Sequence, residues 1–422
     1  MMSAKPFDIS RRKVLEAYRH VKANQGAAGV DDESIEMFEA DLSRNLYKLW
    51  NRMASGSYFP PPVKQVEIPK TQGGVRILGV PTVADRIAQQ VVKARIEGEL
   101  ERLFHPDSYG YRPNKSAADA VAVTRERCWK YDWCVEFDIR RAFDELDWDL
   151  MRRAIRKHVK DPWTLLYIER WLTAPAVSPD GQTIQRTKGV PQGSVIGPAL
   201  MNLYMHYCFD AWMQRAHPLI PFARYADDAV AHCQSESEAK ALLAAIGVRL
   251  KQCKLEMHPE KSGVVYCKDI RRRKVYPRIQ FTFLGFTFRP RRVRAQSPGG
   301  RAQTGFLPAV SAAAIARMRS EMREWQMPRK TSTSLNELAK RYDPILRGWL
   351  NYYGRFYKSA LGRVFYAFDR GLLRWARRKY RKFERHPGRA KRWLEKMVNR
   401  QPRLFIHWLA FGHVTVRTMG AV

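Results

Sequence analysis

The stretch Phe222-Ala-Arg-Tyr-Ala-Asp-Asp-Ala-Val-Ala231 sets two adjacent carboxylates inside an apolar, strand-like pattern. Apolar flanks on both sides of Ala226-Asp227-Asp228 predict a tight β-hairpin with the acids at its tip. Desolvating two like charges there is costly unless cations attend them. Asp31-Asp32 is a second acidic pair, but it follows a Gly-rich turn and precedes a helical pattern, so it is expected to cap rather than react. A further acid lies in Cys134-Val-Glu-Phe-Asp-Ile139, where alternation turns Val135, Phe137 and Ile139 to one face and Glu136 and Asp138 to the other. Asp138 ends that strand. Taken alone it reads as readily as a helix N-cap, and Asp144, in the turn and helix that follow, is a lesser rival. Two strands that bring such acids together can hold two Mg²⁺ ions about 3.5–4 Å apart, one activating a 3′-hydroxyl and the other steadying a leaving pyrophosphate. No His or Cys cluster proposes a softer metal.

The elements around these acids are those of an α+β chain. Helical spacing runs over Arg12 to His20 and Ile35 to Met53. Pro60-Pro61-Pro62 breaks the chain, VKQVEIP alternates like a strand, and Val80 to Leu100 reads as a helix with Thr82 as N-cap. Helix-like sequence follows Ile139 through His158. Arg289 to Gly305, rich in Arg, Gly and Ser without apolar period, reads as a loop or hinge, and a domain boundary is placed near it. Beyond it strand signals nearly vanish, and helices are expected at Leu335 to Tyr357 and Val364 to Phe383. No G-x-G-x-x-G is present, so a doubly wound nucleotide fold is not indicated.

Charge names the class of partner. Lys and Arg number 75 against 41 Asp and Glu, a net charge of +34, and a polyanion is the usual means of neutralising such an excess. More than half of it lies in residues 301–422, with 27 basic against 7 acidic side chains. A membrane-surface role is disfavoured: Ala241 to Val248 is among the longest apolar runs and is far short of the ~20 residues of a span. The N-terminus lacks an apolar secretory core. Six scattered cysteines without a C-x-x-C pair predict buried, reduced thiols in a cytoplasmic protein rather than a zinc site.

Eight segments then occur in order: GAAGVDD (26–32), IPKTQGGVRILGVPTVADRIAQQ (68–90), HPDSYGYRPNKSAADAV (105–121), VEFDIRRAFDELD (135–147), KGVPQGSVIGPALMNLYMH (188–206), RYADDAV (224–230), LEMHPEKS (255–262) and FTFLGFTF (281–288). Together they resemble the bacterial group II intron-encoded reverse transcriptases and maturases, from about Val14 to the C-terminus. The resemblance implies a right-hand polymerase in which Asp138, Asp227 and Asp228 are the catalytic carboxylates, with Asp138, Asp227 and the Ile139 carbonyl as metal ligands. It makes Phe143 a steric gate against a ribose 2′-hydroxyl, although alone it reads as a core aromatic. Lys70 and Arg76 become the triphosphate holders, and Gln192 a contact to the incoming nucleotide, flanked by Gly189 and Gly193 for close approach. Lys261, otherwise a surface charge after His258-Pro259, joins the nucleotide site, and Leu284-Gly285-Phe286 resembles the primer grip.

From Phe306 onward the chain resembles the family's thumb, or maturase domain, with Arg347-Gly-Trp-Leu-Asn-Tyr-Tyr-Gly-Arg-Phe-Tyr357 most characteristic. Trp349, Tyr353 and Phe356 recur at helical spacing and are expected in the core. Arg374, Arg377, Arg378, Lys379, Arg381 and Lys382 are the expected RNA phosphate contacts. The expected domains are an N-terminal extension (1–60), fingers and palm (61–290), helical thumb (306–384) and a short basic segment (385–422). The chain ends at Val422 without a Cys- and His-rich endonuclease module, so a nick or replication fork is expected to supply the primer. The implied function is an RNA-directed DNA polymerase using two Mg²⁺ ions and dNTPs, which binds and helps to splice a group II intron RNA and copies it into DNA from a target primer. Two rivals are a domesticated reverse transcriptase of a defence or repair system, and a splicing maturase without polymerase activity. The maturase-type thumb segment opposes the first and the three intact acids oppose the second. The oligomeric state has no signature in the sequence.

Overall fold

The computed structural model describes residues 5–69, 74–293 and 303–411. It forms two compact units, one from Met1–Ala120 and Trp133–Val264, the other from Val121–Asp132 and Val265–Val422.

The first unit opens with helices α1 (Arg11–Asn24), α2 (Ile35–Ala40) and α3 (Leu42–Ala54). Where one helix was expected over Ile35 to Met53, the backbone leaves helical geometry at Asp41 (φ −128°, ψ 50°). Ser34 caps α2, its hydroxyl accepting from Met37 N. This corrects the capping role expected of Asp31-Asp32: a cap must abut the first helical residue, and the Asp31 carboxylate accepts instead from Glu33 N within the preceding turn. Strands β1 (Val63–Pro69) and β2 (Val75–Val80) pair antiparallel. Helix α4 (Val83–Leu103) follows with Thr82 as its cap, as the sequence predicts. It is buried at Val83, Ile87, Val91 and Val92, but also at Asp85 and Gln89.

After α5 (Ala117–Lys130) come β3 (Trp133–Phe137), α6 (Ala142–Glu145), α7 (Trp148–His158) and α8 (Pro162–Thr173). The short strands β4 (Ala176–Val177) and β5 (Thr183–Ile184) complete a sheet of order β2-β1-β4-β5. Helix α9 (Gly197–Met205) runs through a π-helical turn, His206–Asp210, into α10 (Ala211–Ala216). Strands β6 (Phe222–Tyr225) and β7 (Asp228–Cys233), helix α11 (Glu236–Gln252) and β8 (Gly263–Tyr266) then build the second sheet, of order β6-β7-β3-β8. Its apolar face, with Val135, Phe137, Phe222 and Ala231 buried, packs on Phe209, whose ring lies 5.0 Å from Phe137.

The second unit carries a sheet of β9 (Phe281–Phe283), β10 (Phe286–Val293) and β11 (Gln303–Val310) in the order β11-β10-β9. The loop expected from Arg289 to Gly305 is corrected here: Arg289–Val293 and Gln303–Gly305 are the paired arms of a hairpin, and 294–302 lie outside the described residues. An exposed two-stranded arm holds its register through backbone bonds, so Arg and Gly are tolerated and no apolar period is needed. Helices α12 (Ala312–Glu324), α13 (Leu335–Tyr357), α14 (Gly362–Lys379), α15 (Pro387–Arg400) and α16 (Ile406–Phe411) follow. Ser334 and Glu337 form a capping box that starts α13 where the sequence places it. Of the α13 aromatics expected in the core, Tyr353 is buried and Trp349 and Phe356 are half-buried: Trp349 stacks on Trp325 at 5.7 Å, and Tyr353 and Phe356 meet Phe286 at 5.3 and 5.4 Å.

All six cysteines are buried and none is in a disulfide. Among the described residues no helix is long and apolar enough to cross a membrane.

Candidate active site

Strand pairing delivers the acids. The β6–β7 hairpin pairs Tyr225 with Asp228, so Ala226 and Asp227 form its tip, with Ala226 in the left-handed region at φ 58°. Strand β3 runs antiparallel to β7 with Phe137 opposite Ala229, so the next residue outward on each strand is Asp138 on one and Asp228 on the other. The Asp138 amide donates to Ser262 Oγ at 3.3 Å and its carbonyl accepts from His258 N at 2.8 Å. Ile139 bridges antiparallel to Met257.

The electrostatics are those of a site short of positive charge. Burial pushes the Asp228 carboxyl up to about 7, helped by the charges of Asp227 and Asp138 and opposed by Lys261. Burial and the charge of Asp138 also raise Asp227, against Arg76 and Arg224. Neither acid has an ion-pair partner among the described residues, whereas Asp138 Oδ2 accepts from Lys261 Nζ at 2.8 Å. Among the described residues, no three His, Cys, Asp or Glu side chains form a ready-made metal cage. The donor set still fits a hard divalent cation: it is all oxygen, two half-buried acids have no ion-pair partner among the described residues, and Mg²⁺ normally completes its shell with waters and substrate phosphates.

A backbone frame joins the other expected nucleotide residues. Arg76, on β2, is exposed and electrostatically coupled to Asp227. Further along β2, Gly79 N donates to the Gln192 carbonyl at 2.7 Å, and a Cβ at Gly193 would meet Gly79 O at 2.6 Å. Phe143, half-buried on α6, accepts through its carbonyl from Val190 N at 2.7 Å, so the gate candidate and the Gln192 loop share one scaffold. Asp144 lies on α6, exposed, off the strand. Lys70 lies outside the described residues.

Sequence reasoning missed three contributors. Gln89 Oε1 accepts from Val195 N and Ile196 N at 2.8 and 3.3 Å, and Gln89 Nε2 donates to the buried Asp85 at 2.9 Å, so α4 holds the loop carrying Gln192. The signal was an acid and an amide four residues apart among the apolar positions Val83, Ile87, Val91 and Val92. Tyr111 sits at φ 55° with its ring 6.1 Å from that of Tyr225, its phenol raised by burial and by Asp227. Arg224, wholly buried on β6, is the third; an Arg inside an apolar strand must have a partner.

In the second unit, Leu284 and Gly285 form the β9–β10 turn, both at positive φ, with Leu284 O accepting from Tyr352 Oη at 2.9 Å. Along α14 and the turn after it, Arg374, Arg378, Arg381 and Lys382 are exposed. Arg377 and Lys379 donate to the carbonyls of Glu384 and Thr331, at 2.8 and 2.7 Å, and so also brace the fold.

Comparison with known proteins identifies the family of the chain. Residues 68–288 match the family described as reverse transcriptase (RNA-dependent DNA polymerase), and residues 315–393 match the group II intron, maturase-specific domain. Protein YkfC of Escherichia coli K12 is 30% identical over 299 residues, covering 61% of this chain and 77% of that protein. The group II intron-encoded protein LtrA of Lactococcus lactis is 30% identical over 193 residues, 45% of this chain and 32% of LtrA. A putative COX1/OXI3 intron 1 protein of Saccharomyces cerevisiae is 27% identical over 201 residues, 48% of this chain and 24% of the yeast protein. The chain thus matches only a quarter to a third of these two intron proteins.

Proposed function

Because the chain belongs to the reverse transcriptase (RNA-dependent DNA polymerase) family and carries a group II intron maturase-specific domain behind it, we propose that it copies an RNA template into DNA and binds a group II intron RNA whose splicing it assists. The observation that carries this reading is the meeting of β3 and β7 inside the matched segment, which sets Asp138 beside the Asp227-Asp228 tip. Asp138 and Asp227, with the Ile139 carbonyl, would hold a divalent metal, which would supply Lewis-acid activation of a primer 3′-hydroxyl. Lys261 neutralises Asp138 before substrate binds, and with Lys70 and Arg76 meets the triphosphate of an incoming dNTP. Phe143 excludes a 2′-hydroxyl by collision, Gln192 orients the nucleotide, and Leu284-Gly285-Phe286 supports the primer. A DNA primer at a target site and cytoplasmic residence complete the proposal.

The test is primer extension on an RNA template with dNTPs and Mg²⁺, beside splicing of a group II intron transcript with and without the protein. Extension together with faster splicing supports both activities; faster splicing alone reduces the reading to a maturase.

The basic face of α14 gives a separable prediction. Arg374→Glu, Arg378→Glu, Arg381→Glu and Lys382→Glu together are expected to weaken binding of intron RNA by about 10²- to 10³-fold at low salt. The slope of log K against log salt should become shallower by about 0.7–0.9 for each phosphate that is no longer neutralised. Filter binding across a salt series checks this. Reversing Arg377 and Lys379 should also lower the melting temperature, because both donate to backbone carbonyls.

A further inference from the structure

The Ala226–Asp227 turn is held from beneath by a group outside the catalytic set. Arg224 is wholly buried and uses all five of its N–H groups. Nε and Nη2 donate to the two oxygens of Asp210 at 2.7 and 2.6 Å. Nη2 also donates to Ser108 Oγ at 2.8 Å, and Nη1 to Asn202 Oδ1 at 3.1 Å. The remaining N–H goes to the carbonyl of Ala226 at 2.8 Å. That carbonyl belongs to the non-glycine residue at φ 58° immediately before Asp227. A left-handed alanine is strained and persists only where its surroundings over-determine it.

The surroundings do so here. Asp210 closes the π-helical turn His206–Asp210, an insertion that changes which side chains a helix directs inward, and it is itself fully buried. Asn202, which accepts from Arg224, donates through Nδ2 to Gly110 O at 2.6 Å. The strand carrying Arg224 is bonded to the segment around Gly110 on both sides: Arg224 N donates to Asp107 O at 2.9 Å and Arg224 O accepts from Tyr109 N at 2.8 Å. A simple buried ion pair would need only Asp210. The fifth bond, to the strained carbonyl, is the one that acts on the site.

We infer that Arg224 is a positioning residue for the polymerase reaction, clamping the Ala226 carbonyl so that the Asp227 carboxylate is set before metal and nucleotide arrive. The inference rests on the polymerase reading. It assigns the Asp210–Arg224 pair a role in the geometry of the acids as well as in stability. A lysine at 224 can keep the ion pair with Asp210, but with three donors on a single nitrogen it cannot reproduce the planar fork that reaches both Asp210 and Ala226.

Two variants of the full chain test it: Arg224→Lys, and the apolar pair Arg224→Met with Asp210→Leu, since an apolar replacement of both members of a buried ion pair is often neutral for folding. Extension of an RNA template–DNA primer is measured per active site, across Mg²⁺ and dNTP concentrations. The expected result is a kcat lower by about 10- to 100-fold, a Mg²⁺ half-saturation raised by about the same factor, and an unchanged KM for template–primer. The Mg²⁺ half-saturation does not depend on how much protein is folded, so a purely structural role leaves it unmoved. Wild-type kcat and Mg²⁺ dependence in either variant, once folded, overturn the clamp. If the wild-type protein extends nothing, the polymerase reading falls by itself, and hydrogen exchange over residues 222–233 judges the clamp. Faster exchange at the Asp227 and Asp228 amides in the variants supports it, and unchanged exchange overturns it.

Discussion

Replacing Asp228 with Asn is expected to lower primer extension by at least about 10³-fold, and in the absence of divalent metal to make the first unit more stable rather than less. Removing a charge-stabilising group from a preorganised site costs catalysis on this scale or more. The second effect follows from the same burial. In the folded protein the carboxyl titrates at about 7, against an ordinary value of 3.8. Between about pH 4 and pH 7 the folded state therefore holds a proton that the unfolded state has lost, and stability falls as pH rises through that window. Above pH 7 the full cost of the buried charge is present, at most about 4 kcal/mol for a shift of this size. Asn removes the charge and the cost together. Urea unfolding in EDTA at pH 8 should show a higher midpoint for the variant, and at pH 4 the two midpoints should converge. Adding Mg²⁺ at pH 8 should stabilise the wild type, and the variant by less, because the variant lacks one of the three neighbouring charges that the cation offsets. A variant that is less stable at pH 8 without metal would mean that Asp228 is satisfied by a bond rather than strained by burial. Asp227→Asn should show the same loss of activity, and the same direction on stability, because its carboxyl is also raised.

The second large effect is expected from a single methyl group. In Gly110→Ala the added Cβ would fall 2.4 Å from Ala226 N and 3.0 Å from the Tyr225 carbonyl carbon. These are backbone atoms and cannot swing aside, and Gly110 cannot retreat freely because its carbonyl is held by Asn202 at 2.6 Å. The turn must shift by on the order of 1 Å, and a misplacement of that size at reacting groups costs about 10²-fold. Extension should fall by that factor while intron RNA binding is retained. Gly98→Ala is the matched control, since its Cβ meets nothing within 4 Å and it lies on α4; it should be active and slightly stabilised. Full activity in Gly110→Ala would show that the hairpin tip has slack to move.

What the sequence determined by itself was local. Period-two alternation in Phe222–Ala231 and Cys134–Ile139 predicted two strands, and an apolar pattern interrupted by Asp227-Asp228 could fold only as a hairpin with the acids near its tip. Thr82 and Ser334 start helices because their hydroxyls accept from amides three residues on. These features need only neighbours in the chain. The tertiary structure decided everything that depends on which distant segments pair. The register of β3 on β7 makes Asp138, and not Asp144, the neighbour of Asp228. The Arg-rich stretch from 289 is an arm of a hairpin because β11 supplies its backbone partners, which composition cannot reveal. The supports of the hairpin tip come from Ser108, Gly110, Asn202 and Asp210, all brought to Arg224 and Ala226 by long-range folding. A buried Arg announces that it needs an acid, but nothing local says which one, since hydrogen-bond partners are chosen by distance in space and the sequence records only distance along the chain.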